Sequence, residues 1–304
     1  MIMKNYIKQH IESGMYGEGA IEGAYAYSNV KGWNDYLINN SLIFSHRKTE
    51  YTIESFDEGL CSRDYYEVVC YVAGDVEYVR EDEVAKPQSG MVVCYEPDVM
   101  HTARLLSDGE YERYVLKFDR SFFNFGGEEI AVPAFITDKN TRGVIQPDEA
   151  TSLKLREMLA SAKAAAERND PMGRALAYGY IIQFFDALCG AKNIGKNENL
   201  PENIARIKKY IDTYYSSIEG VSEIASYFFY SREHASRLFR QYFNITLSDY
   251  LMQRRVAESV RLLLDGSSVS DACYAVGFHS VSSYINAFKR VTGCLPSEYK
   301  KKRN

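Results

Sequence analysis

Val221-Ser222-Glu223-Ile224-Ala225, Ser231-Arg232-Glu233-His234-Ala235-Ser236-Arg237-Leu238-Phe239-Arg240 and Ser248-Asp249-Tyr250 form one sentence of this chain. Val269-Ser270-Asp271-Ala272-Cys273, Ser280-Val281-Ser282-Ser283-Tyr284-Ile285-Asn286-Ala287-Phe288-Lys289-Arg290 and Ser297-Glu298-Tyr299 write it again. The opening triplets are offset by 48 positions (269 − 221), the Phe-basic and acid-Tyr pairs by 49 (288 − 239, 299 − 250), so the second copy gains one residue in between. Each copy reads as a short helix, a tight turn and a second helix with a basic outer face. That is the helix-turn-helix pattern, and two copies in register imply the reading of double-stranded DNA.

Helical spacing sorts each second helix into two faces. From the N-cap serine Ser231 onward, Ala235, Leu238, Phe239 and Tyr242 share one stripe and are expected in the core. Arg232, Glu233, Ser236, Arg237 and Arg240 fall opposite them, and arginines on a free helix face suit phosphate contacts and bidentate guanine recognition. In the second copy Tyr284, Ala287, Phe288 and Val291 are the inward set, with Ser282, Ser283, Asn286, Lys289 and Arg290 outward. Asn286 has the amide to read adenine, or it is a short polar residue making no contact; Arg290, late in its helix, is placed on phosphate.

Charge is divided the same way. Residues 201–304 hold 15 Lys+Arg and 10 Asp+Glu, a balance of +5, whereas residues 1–200 hold 21 and 31, a balance of −10. A basic C-terminal third on an acidic chain fits a nucleic-acid-binding module joined to a non-binding domain. The 304 residues suffice for two domains with separate cores. Met1 to Ala20 is broken by Lys4, Lys8, Glu12 and Glu18, without the apolar stretch of a signal peptide, and no apolar run approaches the length of a bilayer span. Cysteines 61, 70, 94, 189, 273 and 294 show no CxxC spacing and are expected to be small buried apolar side chains in a reducing cytoplasm.

Upstream the period changes. From Tyr51 to Phe118 short apolar runs alternate with turns: Tyr66 to Val72, Val76 to Val79, Met91 to Tyr95 and Tyr114 to Phe118, punctuated by Gly74 and Pro87 to Gly90. This spacing predicts an antiparallel sandwich or barrel. After Pro147 the pattern is helical, with Leu153, Leu155, Met158, Leu159 and Ala162 marking one helix. Leu176, Ile181, Phe184, Phe185 and Leu188 mark a second, entered after Asp170-Pro171. These helices carry more apolar residues than one barrel face needs, so a dimer contact is expected there, with Phe184 and Phe185 in it. Gly190 to Glu202 reads as a linker.

The C-terminal residues resemble the AraC/XylS family of bacterial transcription regulators over 202–300. The resemblance is carried by Tyr250-Leu251, Arg255-Val256 and Leu262-Leu263, by the turn Ala275-Val276-Gly277-Phe278, and by Phe288-Lys289-Arg290, Thr292-Gly293 and Pro296-Ser297-Glu298-Tyr299. It implies two helix-turn-helix units joined by one long helix, each placing a helix in successive major grooves. Phe229 departs from the pattern, standing where the first turn usually has glycine, and a bulky residue disfavours positive φ there; Ser259 replaces a usual alanine. The first half is similar to the cupin-like sensor domain common in that family. The stretch that often reads His-x-His-Asp-x-Tyr-Glu is here Cys61-Ser62-Arg63-Asp64-Tyr65-Tyr66-Glu67, without either histidine, and Glu96-Pro97-Asp98-Val99-Met100-His101 matches the later family turn.

The expected fold is therefore α+β in two domains. A cupin-like antiparallel β-barrel over 1–146 and a helical dimerisation segment over 147–190 lead through a linker, 191–201, to an all-α double helix-turn-helix over 202–304. A catalytic cupin needs several imidazoles at one metal; His10, His46 and His101 have no paired spacing, so no metal, cofactor or enzymatic activity is expected, and a lone His101 reads as a hydrogen-bonded structural residue. Arg63, Tyr65, Glu67, His101 and Arg104 are the candidate effector pocket. Most of the 25 tyrosines are expected in barrel core and rim, some to stack on a ligand. Family analogy and tyrosine content point to a sugar or oligosaccharide effector; the alternative is a barrel that binds no ligand and serves as a dimerisation or partner platform. Expected partners are DNA, that effector and a second copy of the chain, with RNA polymerase a further one and no membrane.

Overall fold

The computed structural model describes residues 33–39, 41–53, 65–80, 83–97, 99–125, 128–129, 132–137, 143–191, 198–243, 245–292 and 295–303. The chain forms two compact units, one mainly of residues up to 198 and one mainly of residues 199–304.

In the first unit the strands that build the two larger sheets are β1 (Trp33–Asn39), β2 (Leu42–Tyr51), β3 (Tyr66–Ala73), β4 (Val76–Arg80), β5 (Glu83–Ala85), β6 (Val92–Tyr95), β7 (His101–Leu105), β8 (Gly109–Phe118) and β9 (Val144–Ile145). The larger sheet runs β1-β2-β8-β3-β6-β9 with antiparallel neighbours, and in a smaller sheet β4 lies between β5 and β7. Both faces of the larger sheet are covered, so β3 is a near-continuous apolar run instead of an alternating one, and β8 is buried without a break from Arg113 to Phe118. On one face Val69, Tyr71, Val93, Tyr95, Tyr111 and Val115 pack with Val76, Tyr78, Ala85, Ala103 and Leu105 of the smaller sheet. On the other, Phe44, Val68, Cys70, Cys94, Leu116 and Phe118 pack against two helices.

Those helices are α1 (Glu149–Ala166) and α2 (Pro171–Cys189). Asp148 and Asp170 cap them, accepting from Thr151 N at 2.8 Å and Gly173 N at 2.6 Å, and Pro171 opens α2 where its missing N–H costs no bond. Leu155, Leu159, Ala162, Ala177, Ile181, Phe184, Phe185 and Leu188 are the buried stripe. Phe184 and Phe185 are thus intrachain core, Phe185 meeting Phe118 edge-on at 5.5 Å, which takes them out of the expected dimer contact. Leu153 and Leu176, expected in the stripes, are instead exposed, as is Met172. Cys70, Cys94 and Cys273 are buried as expected, but Cys189 at the end of α2 is exposed; Cys61 and Cys294 lie outside the described residues. Strands β1 and β2 lie upstream of the stretch whose pattern announced a sheet.

The second unit is helical: α3 (Glu202–Tyr214), α4 (Val221–Tyr227), α5 (Arg232–Phe243), α6 (Leu247–Leu264), α7 (Val269–Ala275), α8 (Val281–Thr292) and α9 (Pro296–Arg303). Helix α6 joins two short-helix, turn, helix pairs, α4/α5 and α7/α8. Among the described residues no helix is long and apolar enough to cross a membrane.

Candidate nucleic-acid interface

The two helix pairs are built on the same local chemistry. Ser231 caps α5 by accepting from His234 N at 3.1 Å, and Ser280 caps α8 by accepting from Ser283 N at 3.2 Å. The first turn is closed by Tyr230 N to Ala225 O at 2.9 Å and Phe229 N to Ser226 O at 3.1 Å; Phe278 N to Cys273 O and Gly277 N to Tyr274 O, both 3.1 Å, close the second, 48 positions later. Both turns pass through a left-handed residue, Phe229 at φ 58° and Gly277 at φ 89°. The side chain that adopts this conformation against its intrinsic preference, Phe229, is 96 % exposed.

The repeated Phe and Tyr of the sequence are partners. Phe239 lies 5.1 Å from Tyr250, and Phe288 lies 5.6 Å edge-on to Tyr299. Their helices open with complementary halves of one capping device: the Thr246 hydroxyl accepts from Asp249 N at 3.1 Å, whereas the Glu298 carboxylate accepts from Leu295 N at 3.0 Å. The buried row of α5 is Ala235, Phe239 and Phe243, and Phe243 stacks on Tyr250 at 6.1 Å. Tyr242 and Leu238, expected in that row, are only half-buried. In α8, Tyr284 and Phe288 are buried, and Ala287 and Val291 pack at their margin. Burial pushes the Tyr284 phenol up to about 12, so it stays neutral.

With these rows inward, Arg232, Glu233, Arg237 and Arg240 are exposed on α5 and Ser236 is half-buried. Ser282, Ser283, Asn286, Lys289 and Arg290 are exposed on α8. Arg232, Arg237, Arg240 and Lys289 make no ion pair among the described residues; Arg237 Nη2 sits 3.4 Å from His234 Nδ1. Arg290 differs. Its Nη2 donates to Asp249 Oδ1 at 2.5 Å and approaches Met252 Sδ at 3.2 Å, tying α8 to α6. Ser282 and Ser283 are drawn into the Ser280 cap, with oxygen separations of 3.3 and 2.9 Å.

A second tie passes through Arg255 on α6. Its Nε donates to Tyr215 O at 2.8 Å and its Nη2 to Ile218 O at 2.5 Å, and its guanidinium lies 5.7 Å from the Phe278 ring. The segment after α3 is thereby fixed to α6, and the Ser216 carbonyl presses on the second turn, where a Cβ at Gly277 would stand 2.2 Å from it. Sequence reading gave Arg255 no positional role. The usable signal was its place in a four-residue row, Leu251, Arg255, Ser259 and Leu263, all buried.

In the first unit the effector candidates divide. Arg63 lies outside the described residues. Tyr65 is buried with Ile43, and Lys117 Nζ stands 5.8 Å above its ring. Glu67 on β3 is opposite both Lys117 and Tyr95 in register. His101 stacks on Tyr95 at 3.8 Å and places Nδ1 2.9 Å from Val99 O. These three come together at one end of the intersheet face. Arg104 does not: it alternates to the other face of β7 and bonds Glu77, whose other oxygen is 3.5 Å from Lys86 Nζ.

A family model described as a helix-turn-helix domain matches residues 224–302. The HTH-type transcriptional regulator YkgA of Escherichia coli is 28 % identical over 111 residues, 36 % of this chain and 46 % of that protein, so the chain spans about half of it. The HTH-type transcriptional activator RhaR of Mannheimia succiniciproducens is 20 % identical over 248 residues, covering 78 % of this chain and 85 % of that one. A solved AraC-type regulator from Chromobacterium violaceum is 22 % identical, covering 33 % of this chain and 91 % of that structure, with a TM-score of 0.32. Residues 224–302 therefore carry a helix-turn-helix domain, and the chain is similar through it to HTH-type transcriptional regulators.

Proposed function

We propose that the chain is a transcription regulator that binds double-stranded DNA with two helix-turn-helix units, α4/α5 and α7/α8, laying α5 and α8 in successive major grooves. The observation that carries this is the matched pair of frames, each with a Phe–Tyr ring contact behind and an exposed polar face in front. Arg232, Arg237 and Arg240 have their charges available for phosphate and guanine, and Lys289 for phosphate. Asn286 is the one side chain on α8 suited to bidentate adenine contact. The full chain, mixed with random-sequence DNA and selected for binding, should enrich a defined site and lose affinity steeply with salt as counterions are released. A folded chain with no affinity for DNA at low salt would remove the reading.

The role of the first unit is read as regulatory, not catalytic. Its facing sheets are taken as a cupin-like barrel that holds a small molecule near Tyr65, Glu67 and His101, and the helical pair as the contact with a second copy. Leu153, Met172 and Leu176, 50, 61 and 42 % exposed, are the apolar surface available for that contact. Replacing the three with serine should shift the full chain toward monomer in sedimentation; an unchanged mass distribution would move the interface elsewhere.

A further inference from the structure

Four aromatic residues in a row, Tyr227-Phe228-Phe229-Tyr230, end α4 and carry the chain through the first turn. Three of them have ring partners. Tyr227 lies on Tyr210 with centroids 4.1 Å apart, Phe228 meets Tyr210 edge-on at 5.6 Å, and Tyr230 meets His234 edge-on at 4.9 Å. Phe229 makes no ring contact among the described residues and is 96 % exposed. Its backbone is left-handed, at φ 58°, a conformation that costs a bulky residue free energy and glycine almost none. The ring therefore adds nothing to the folded chain that glycine would not supply, and the turn holds it under strain. Strain held by an otherwise idle side chain points to a contact outside the chain.

Position selects the occupant. Phe229 stands two residues before Ser231, the cap of α5, so its Cα is within about 7 Å of the start of that helix. Helix-turn-helix units enter the major groove with the first residues of the second helix. The exposed charges that follow are Arg232, Arg237 and Arg240 against Glu233, a surface suited to a polyanion more than to an apolar protein face. Base edges in the major groove offer a phenyl ring one apolar target, the 5-methyl group of thymine. The second turn carries no counterpart: Gly277 occupies the matching place, 48 positions on (277 − 229).

We propose that Phe229 is a base-reading residue of the first helix-turn-helix pair, its ring set against a thymine methyl group in the groove that α5 enters. This rests on the reading of α4/α5 as a DNA-binding pair and adds an apolar contact to its arginines. It also makes the two halves of the site unequal, since the turn before α5 reads thymine and the turn before α8 does not.

The test is a cycle of protein and DNA changes, with the full chain on the site it selects from random sequence. Each thymine of that site is replaced in turn by deoxyuridine, which removes only the methyl group. One replacement should weaken the wild type roughly fourfold, the worth of one buried methyl. Phe229→Gly, which fits the left-handed turn, should bind the unmodified site roughly fivefold more weakly and be indifferent to that same replacement. Phe229→Asn, polar but tolerant of left-handed backbone, should behave like Phe229→Gly, and Phe229→Leu should keep part of the discrimination. Denaturant unfolding, in which Phe229→Gly should be no less stable than wild type, separates a lost contact from a lost fold. The proposal is overturned if Phe229→Gly binds the site as tightly as wild type, which would leave the ring to a protein partner. It is equally overturned if the deficit is the same on every deoxyuridine site, which would put the ring against the sugar-phosphate backbone. A wild-type chain that binds no DNA at low salt removes this assignment and the DNA-binding reading together; a chain that binds but fails either comparison loses the assignment alone.

Discussion

The α4/α5 and α7/α8 pairs solve the same turn with different residues, and the difference separates two reasons for a glycine. Both turns need a left-handed residue closed by the same two backbone bonds. At Gly277 the Ser216 carbonyl leaves no room for a Cβ, whereas Phe229 projects into open space. Left-handed backbone alone costs a non-glycine residue about 1–2 kcal/mol, which a folded domain can carry; backbone collision cannot be relaxed so cheaply. Crowding, more than φ, therefore dictates the glycine. Exchanging the two breaks or confirms this. Gly277→Phe adds left-handed strain to overpacking against a carbonyl and should cost about 4 kcal/mol in denaturant unfolding of the full chain. Phe229→Gly should stabilise by about 0.5–1 kcal/mol, strain relief being offset partly by unfolded-chain entropy. Equal costs at the two turns would mean that the Ser216 contact is not what sets the requirement.

The crowding has a cause in Arg255, which holds the carbonyls on either side of Ser216. Arg255→Ala leaves two carbonyls without their donor and removes the stem that fills the space beside Phe278. It should cost about 3 kcal/mol, from unsatisfied buried acceptors and lost packing. It should also make Gly277→Ala cheaper than in the wild type, since the pressing segment is released; strictly additive costs would show that the two sites are uncoupled.

The repeat was legible because its determinants are local. Serine caps, the Phe row and the acid-Tyr pairs recur at fixed offsets, and each sets the conformation of its own neighbours. What escaped depends on distant chain. Tyr242 fits the helical stripe as well as Phe243, but Tyr250 chooses Phe243 by stacking on it. Phe184 and Phe185 look like surplus apolar surface until a sheet covers them. Arg113 and Arg47 alternate correctly for a strand, yet nothing local says that both faces of β2 and β8 are buried. Among the pocket candidates, His101 and Arg104 are three residues apart on one strand, a spacing that puts them on opposite faces.

A smaller effect separates the two outward faces. On α5, Arg237 lies one turn before Arg240, its Nη2 3.4 Å from His234 Nδ1. If it reads a guanine edge, Arg237→Ala should weaken the selected site by about 1–3 kcal/mol and relax preference at one base pair. On α8 the comparable test is Asn286→Ala. An unchanged consensus would assign sequence reading to α5 and leave α8 as a clamp.

The finest distinction concerns Arg290, which position in its helix assigns to phosphate and which the fold gives to Asp249. A phosphate-binding cation adds about one to the slope of log affinity against log salt, because its contact releases about one counterion. An arginine already neutralised by a carboxylate adds little, since it brings no net charge to the duplex. The pair therefore predicts that Arg290→Ala changes the salt slope by well under one unit, while Asp249→Asn, which frees the guanidinium, steepens it toward one unit and raises affinity for all sequences alike. Lys289→Ala is the internal standard: exposed and without an ion pair among the described residues, it should flatten the slope by about one. If Arg290→Ala flattens the slope as much as Lys289→Ala does, the bond to Asp249 is given up on DNA and the second face carries two phosphate contacts. If it does not, the repeated acid of Ser248-Asp249-Tyr250 has a role its counterpart Glu298 lacks: holding the second reading helix to the joining helix.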